Sequence, residues 1–207
     1  MIDFKLYLIS DRTQCGGRLL KEVLNQACNA GVRMVQLREK DLRPNKFVPL
    51  VQEVQQTLAD FRPSILINDR VDVACALHAG GVHLPESGLS PDLARRCLPQ
   101  KALIGCSTHS VEGARKAAEA GADFITFGPI YYTPSKAPYG DPQGIEVLKE
   151  VTQAINIPVF ALGGITPDRV GACLDAGAHG VSAISAVLSA PDISKAVRAF
   201  HNVLGGL

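Results

Sequence analysis

The sequence predicts a (β/α)8 barrel, and three observations lead there. Short apolar or β-branched runs alternate with longer helical segments along the whole chain, the pattern of parallel strands joined by crossover helices. Eight such units fill 207 residues, about 26 each, enough for a strand, a helix and two short loops but for no separate domain. Neither a G-x-G-x-x-G fingerprint nor a G-x-x-x-x-G-K-[ST] loop occurs, so the usual signatures of a doubly wound open sheet are missing. Residues 1–207 are accordingly expected to form one barrel domain.

Taken in order, the expected strands are 5–10, 32–37, 64–67, 81–84, 101–105, 123–127, 158–162 and 179–183. Helices are expected over 16–30, 44–60, 70–78, 90–98, 110–120, 143–155, 167–176 and 191–204. Ser90-Pro91, Thr166-Pro167 and Ala190-Pro191 each place a proline at the first helical position, where its missing N–H costs nothing. Gly31, Gly121 and Gly177 follow alanines at helix ends, the place for a left-handed C-terminal cap. The longest connection, 128–142, has the proline and glycine content of an active-site loop.

Composition excludes several classes of partner. With 46% hydrophobic and 20% charged residues the chain can furnish both a core and a solvated exterior. Twenty-one Lys and Arg against twenty Asp and Glu leave a net charge of +1, so no field of one sign invites nucleic acid or an anionic membrane. Any anion site must be local. The cysteines, Cys15, Cys28, Cys75, Cys97, Cys106 and Cys173, form no metal-binding spacing and read as free thiols of a reducing compartment. No run approaches the length of a membrane span, and the expected location is the cytoplasm.

In a barrel of this kind the chemistry lies where the strands end at their C-termini. The second strand runs on into QLREK, where a period of two puts Gln36, Arg38 and Lys40 on one face. Asn68 and Asp69 follow the third strand, Ser107 ends the fifth, and Thr133, Ser135 and Lys136 lie in the loop after the sixth. Arg38, Lys40 and Lys136 would surround a phosphate or diphosphate, and Asp69 would suit Mg²⁺ shared with substrate oxygens. A second anion site is expected at LGGIT (162–166) and AISA (183–186), where glycine lets backbone N–H groups approach oxygens. Two such sites at one mouth suggest a reaction joining two phosphorylated molecules. His83 reads as a hydrogen-bonded core histidine, Cys106 as a buried thiol, and His109 as a solvent-facing residue at a helix start.

YLISDR, QLREK, LINDRVDVA, GVHL, IGCSTHS, GADFITFGPIYYTPSK, ALGGIT and AISA, in that order, resemble the thiamine phosphate synthase family and its relatives, the thiazole tautomerases. The resemblance spans nearly the whole chain. It implies a barrel transferase that couples hydroxymethylpyrimidine diphosphate to thiazole phosphate with Mg²⁺, releasing pyrophosphate by a dissociative route. By motif, Gln36, Arg38, Lys40, Asn68, Ser107 and Lys136 would bind the pyrimidine diphosphate, and Asp69 would hold the metal. Arg38, Lys40, Ser107 and Lys136 are the expected catalytic groups. The whole of QLREK, Leu37 and Glu39 included, stands among the substrate-binding residues. Thr133, Ser135, Gly164, Ile184 and Ser185 would hold the thiazole phosphate. The chain departs from the synthase pattern at LPESGL (84–89): Gly88 stands where a second metal-binding aspartate is expected, with Pro85 and Glu86 replacing glycine and glutamine. That stretch is similar to the tautomerase branch, whereas Pro129 after FG is the synthase form. Thiazole tautomerisation and thiazole phosphate binding without catalysis are the alternatives. Partners are small phosphorylated molecules, with a homo-oligomer left open.

Overall fold

The computed structural model describes residues 2–133 and 141–205. Eight parallel strands close into a barrel in sequence order: β1 Leu6–Ile9, β2 Met34–Leu37, β3 Ser64–Asn68, β4 Gly81–Leu84, β5 Leu103–Thr108, β6 Phe124–Phe127, β7 Val159–Ala161 and β8 Gly180–Ala183. Closure is made by β8 on β1, with Tyr7 opposite Ser182. The helices around it are α1 Leu20–Asn29, α2 Pro44–Thr57, α3 Val71–Ala76, α4 Pro91–Cys97, α5 Val111–Glu119, α6 Gly144–Ala154, α7 Pro167–Asp175, α8 Ser185–Leu188 and α9 Ile193–Leu204.

Local chemistry accounts for most helix ends. Pro44, Pro91 and Pro167 open their helices. The Ser110 side chain caps α5 by accepting from the Gly113 N–H at 3.0 Å. Gly31, Gly121 and Gly177 all take positive φ behind their helices, as the Ala-Gly pattern predicts. Two helices start later than expected, and one short helix was not foreseen. The last helix starts at Ile193, not at Pro191, because the Asp192 carboxylate accepts from the Lys195 N–H at 2.8 Å and so sets the cap two residues later. The segment after β8 coils into the short α8, and the first helix begins at Leu20 behind a 3-10 turn at Arg12–Gln14.

Strand parity divides the core in two. Outward residues such as Leu8, Val35, Leu37, Ile67, Ile104 and Val181 join one continuous layer beneath the helices. Tyr7, Met34, Leu66, Phe124 and Phe160 form a separate plug inside the barrel. Its aromatic rings meet edge to face, Tyr7 on Phe124 and Phe124 on Phe160 with centroids 5.5 Å apart, the arrangement ring quadrupoles favour. Gly105 makes this filling feasible: a Cβ there would lie 2.4 Å from Phe124 Cζ and 2.6 Å from His83 Nδ1. Above the plug, toward the C-terminal mouth, the inward positions turn polar with Gln36, His83, Thr126 and Ser182, all buried.

Candidate active site

The end of β2 is held by a buried anchor. The Ser10 hydroxyl donates to Glu39 Oε1 at 2.6 Å, and Ser10 Oγ accepts the Arg38 N–H at 2.9 Å. The Arg12 backbone N–H and guanidinium also reach the Glu39 carboxylate, at 3.1 and 3.2 Å. With its carboxylate so engaged and only 6% of the residue exposed, Glu39 is an anchor and presents no side chain to a substrate. Leu37 lies wholly in the layer under the helices. Neither the Leu37 nor the Glu39 side chain is therefore directed to the mouth. Strand parity turns Leu37 away from the inward face of Gln36, and the Ser10 and Arg12 hydrogen bonds draw Glu39 toward β1.

Arg38 and Lys40 carry the charge. The neighbouring Arg38 charge, helped by burial, lowers the Lys40 ammonium below its ordinary range, while Asp69 acts in the opposite sense. Asp69 itself sits at φ 63, a conformation rare outside glycine. Its N–H donates to the His83 carbonyl at 2.8 Å, which holds the carboxylate at the junction of β3 and β4. Strain kept at such a place accords with a functional site.

Beneath the charged rim runs a buried hydrogen-bonded row. Gln36 Nε2 donates to the Tyr7 hydroxyl at 2.9 Å, and that hydroxyl lies 3.3 Å from His83 Nδ1. His83 Nε2 is 3.0 Å from Ser107 Oγ and 3.4 Å from Thr126 Oγ1. His83 is 2% exposed, and burial, with the nearby Arg38 charge, pushes its pKa down to about 3. It is a core histidine with partners at both nitrogens, as expected. Ser182 Oγ, in the same polar layer, has no partner among the described residues. Cys106 faces the other way and burial pushes its thiol up to about 12, which suits a structural thiol. His109 is exposed, as expected, and its Nδ1 bonds the Gly128 carbonyl at 2.6 Å.

The loop after β4 departs most from the expected metal pattern. The Gly88 N–H donates to the Pro85 carbonyl at 2.9 Å in a tight turn. A Cβ at Gly88 would meet Pro85 Cγ at 2.8 Å. Glu86 Oε1 accepts the His109 N–H at 3.3 Å and lies against Gly113, so this carboxylate is drawn to the start of α5.

On the far side of the mouth, the strand 6 and strand 7 loops are zipped together. The Ile130 N–H donates to Leu162 O at 2.9 Å and the Tyr131 N–H to Gly163 O at 3.0 Å. Arg169 lies over the Tyr131 ring, 4.5 Å from its centroid, and donates to Gly164 O at 2.6 Å. Gly163 and Gly164 have φ 100 and 64. Ile184 and Ser185 stand at the β8–α8 junction, with Ser185 exposed. Gln36, Arg38, Lys40, Asn68, Asp69 and Ser107 thus stand at the C-terminal ends of β2, β3 and β5, and Gly164, Ile184 and Ser185 follow β7 and β8. Thr133 immediately precedes 134–140, and Ser135 and Lys136 lie outside the described residues. Sequence reasoning missed the service of Ser10, Tyr7 and Thr126; their parity as inward or strand-end polar residues was the available signal.

A closed parallel barrel whose strand ends carry paired cations, a carboxylate and glycine-edged loops belongs to the (β/α)8 enzymes that act on phosphorylated molecules. Residues 6–187 match the family model described as thiamine monophosphate synthase. A Geobacter sulfurreducens protein provisionally named a thiamine-phosphate synthase is 50% identical over 203 residues, 98% of this chain and 95% of that protein. The thiamine-phosphate synthase of Clostridium novyi is 39% identical over 98% of this chain and 99% of its own. Among solved structures, thiamine phosphate pyrophosphorylase from Pyrococcus furiosus superposes with a TM-score of 0.87 at 30% identity, covering 97% of this chain and 95% of that one. The chain belongs to the thiamine phosphate synthase family.

Proposed function

We propose that this mouth couples hydroxymethylpyrimidine diphosphate to thiazole phosphate, forming a C–N bond and releasing pyrophosphate. The observation that carries the reading is the pair Arg38 and Lys40 just after β2, flanking the Ser10–Glu39 anchor and facing Asp69. Cations fixed in this way stabilise charge as it develops on a leaving diphosphate. The bond between the pyrimidine methylene carbon and the diphosphate oxygen breaks with its electron pair going to oxygen. The thiazole nitrogen then donates its lone pair to that carbon, and no general base is needed. Arg38 and Lys40, joined by Lys136 on motif grounds, bind the diphosphate, while Gln36, Asn68 and Ser107 orient the pyrimidine. Backbone at Gly164, Ile184 and Ser185, with Thr133 and Ser135, receives the thiazole phosphate.

Asp69 offers one carboxylate, and the described residues contain no cluster of three or more His, Cys, Asp or Glu fit to hold a metal. One carboxylate fits Mg²⁺ when diphosphate oxygens fill most of the remaining shell. When bound there, Mg²⁺ would supply further neutralisation of the leaving group. No helix among the described residues is long and apolar enough to cross a membrane, and all six cysteines are free. The proposed setting is the cytoplasm, with the two small phosphorylated molecules as partners.

The test is pyrophosphate release and thiamine phosphate formation from the two substrates with magnesium, run beside isomerisation of the thiazole carboxylate phosphate. Equal amounts of the two products support the reading. Isomerisation alone would transfer the site to the tautomerase branch, to which LPESGL (84–89) is similar. Saturable thiazole phosphate binding with no product would leave a binding role.

A further inference from the structure

The buried row below the mouth has a direction, and that direction decides what Ser107 offers to a ligand. Gln36 Nε2 has only protons to give, so the Tyr7 oxygen is an acceptor in the 2.9 Å bond between them. Tyr7 is wholly buried, and His83 Nδ1, at 3.3 Å, is the acceptor that the described residues provide for its phenol proton. Were Nδ1 to carry a proton instead, two donors would converge on the phenol oxygen and the phenol proton would be buried unpaired, an arrangement with a full desolvation penalty. Nδ1 therefore accepts. In a neutral ring the proton then sits on Nε2, which donates to Ser107 Oγ at 3.0 Å, with Thr126 Oγ1 a longer second acceptor at 3.4 Å. Gly105 leaves room for the imidazole to lie in this line.

We propose that His83 is a positioning residue: held by Tyr7 as the Nε2–H tautomer, it donates to Ser107 Oγ and so leaves the Ser107 proton free to be donated toward the mouth. The inference rests on the reading of Ser107 as a substrate contact and deepens it. A ligand acceptor facing Ser107, either a pyrimidine ring nitrogen or a diphosphate oxygen, then meets a hydroxyl whose own proton is not taken up by the imidazole.

The direction can be read without turnover. In protein labelled with ¹⁵N histidine, long-range ¹H–¹⁵N correlation spectra report which ring nitrogen bears the proton, and the His83 signals are assigned by their loss in His83→Gln. A proton on Nε2 supports the proposal, and a proton on Nδ1 overturns it. Tyr7→Phe keeps the ring but removes the hydroxyl, and is expected to weaken or abolish the preference for the single tautomer. In the coupling assay Tyr7→Phe is expected to lower kcat roughly ten- to hundredfold with a smaller change in KM. In a Ser107→Ala background the same substitution should cost almost nothing more, because the proposed effect passes through Ser107. Equal losses in both backgrounds would reduce Tyr7 and His83 to packing and overturn the positioning role. A wild-type protein that shows the Nε2–H tautomer yet makes no thiamine phosphate would overturn the synthase reading alone.

Discussion

Glu39 and Arg38 are adjacent in sequence and opposite in consequence. Glu39→Ala removes the acceptor for the Ser10 hydroxyl and for the Arg12 N–H, leaving buried donors unpaired, so unfolding free energy should fall by about 1 to 3 kcal/mol in urea titrations. Arg38→Ala removes a half-buried cation at the mouth while its backbone bond to Ser10 remains available. The fold should then survive, and diphosphate affinity should weaken by roughly 1.5 to 3 kcal/mol in calorimetry, with Lys136→Ala behaving alike. If Arg38→Ala melts well below wild type, its main work is structural. Asp69 supports a third expectation: Mg²⁺ alone should bind weakly and inorganic pyrophosphate should tighten it, a synergy lost in Asp69→Asn. Calorimetric titrations of magnesium with and without pyrophosphate check this apart from any activity.

At the scale of the element, the β4–α4 connection departs furthest from the family pattern. Gly88 is not held at positive φ, so its own conformation admits an aspartate, although the new Cβ would lie 3.1 Å from the Pro85 carbonyl oxygen. The obstacle is Pro85, whose ring carbon would stand 2.8 Å from the new Cβ. Gly88→Asp alone should therefore lose roughly 1 to 3 kcal/mol of stability and leave the magnesium requirement unchanged. Pro85→Gly combined with Gly88→Asp removes the ring contact, and should recover part of the stability and lower the magnesium concentration needed for pyrophosphate binding. Melting curves and magnesium titrations of both variants decide the matter; a single variant that melts like wild type would show that Pro85 yields freely.

For the molecule as a whole, the buried imidazole makes stability depend on pH. His83 has a folded pKa of about 3 against an ordinary value near 6.5, so between these values the unfolded chain binds a proton that the native protein does not. Stability is then complete above about pH 7 and falls with acidification toward pH 3, by up to about 1.4 kcal/mol per pH unit from this one site. His179 and His201, lowered chiefly by burial, add in the same sense. Comparison with His83→Gln isolates the site: the variant's stability should decline less steeply from pH 6.5 to 4. Parallel profiles would mean that His83 is protonated without cost in the native state.

Periodicity is a local property, and what depends on it was legible in the chain before folding. Alternating β and α patterns specified the barrel, and the period of two put Gln36 on the inward face of β2, with Arg38 and Lys40 in the segment that follows it. The Ala-Gly signals at 31, 121 and 177 marked helix ends because each requires only its own residue's φ. Registry between distant strands is not local, and tertiary structure alone decided what depends on it. Tyr7 meets His83 across 76 positions, and His83 meets Ser107 across 24, contacts that arise only once the closed barrel sets the stagger of its strands. Glu39 illustrates the same limit: parity could turn it from the mouth, but only the approach of β1 to β2 brought Ser10 and Arg12 to its carboxylate. The start of α9 is a local matter by contrast: the Asp192 carboxylate accepts from the Lys195 N–H three residues on, a cap whose signal was already in the chain. The sequence by itself determined the fold and which polar residues its strand ends carry; the tertiary structure decided which groups hold those residues still, since their partners come from segments that only barrel closure brings within hydrogen-bonding distance.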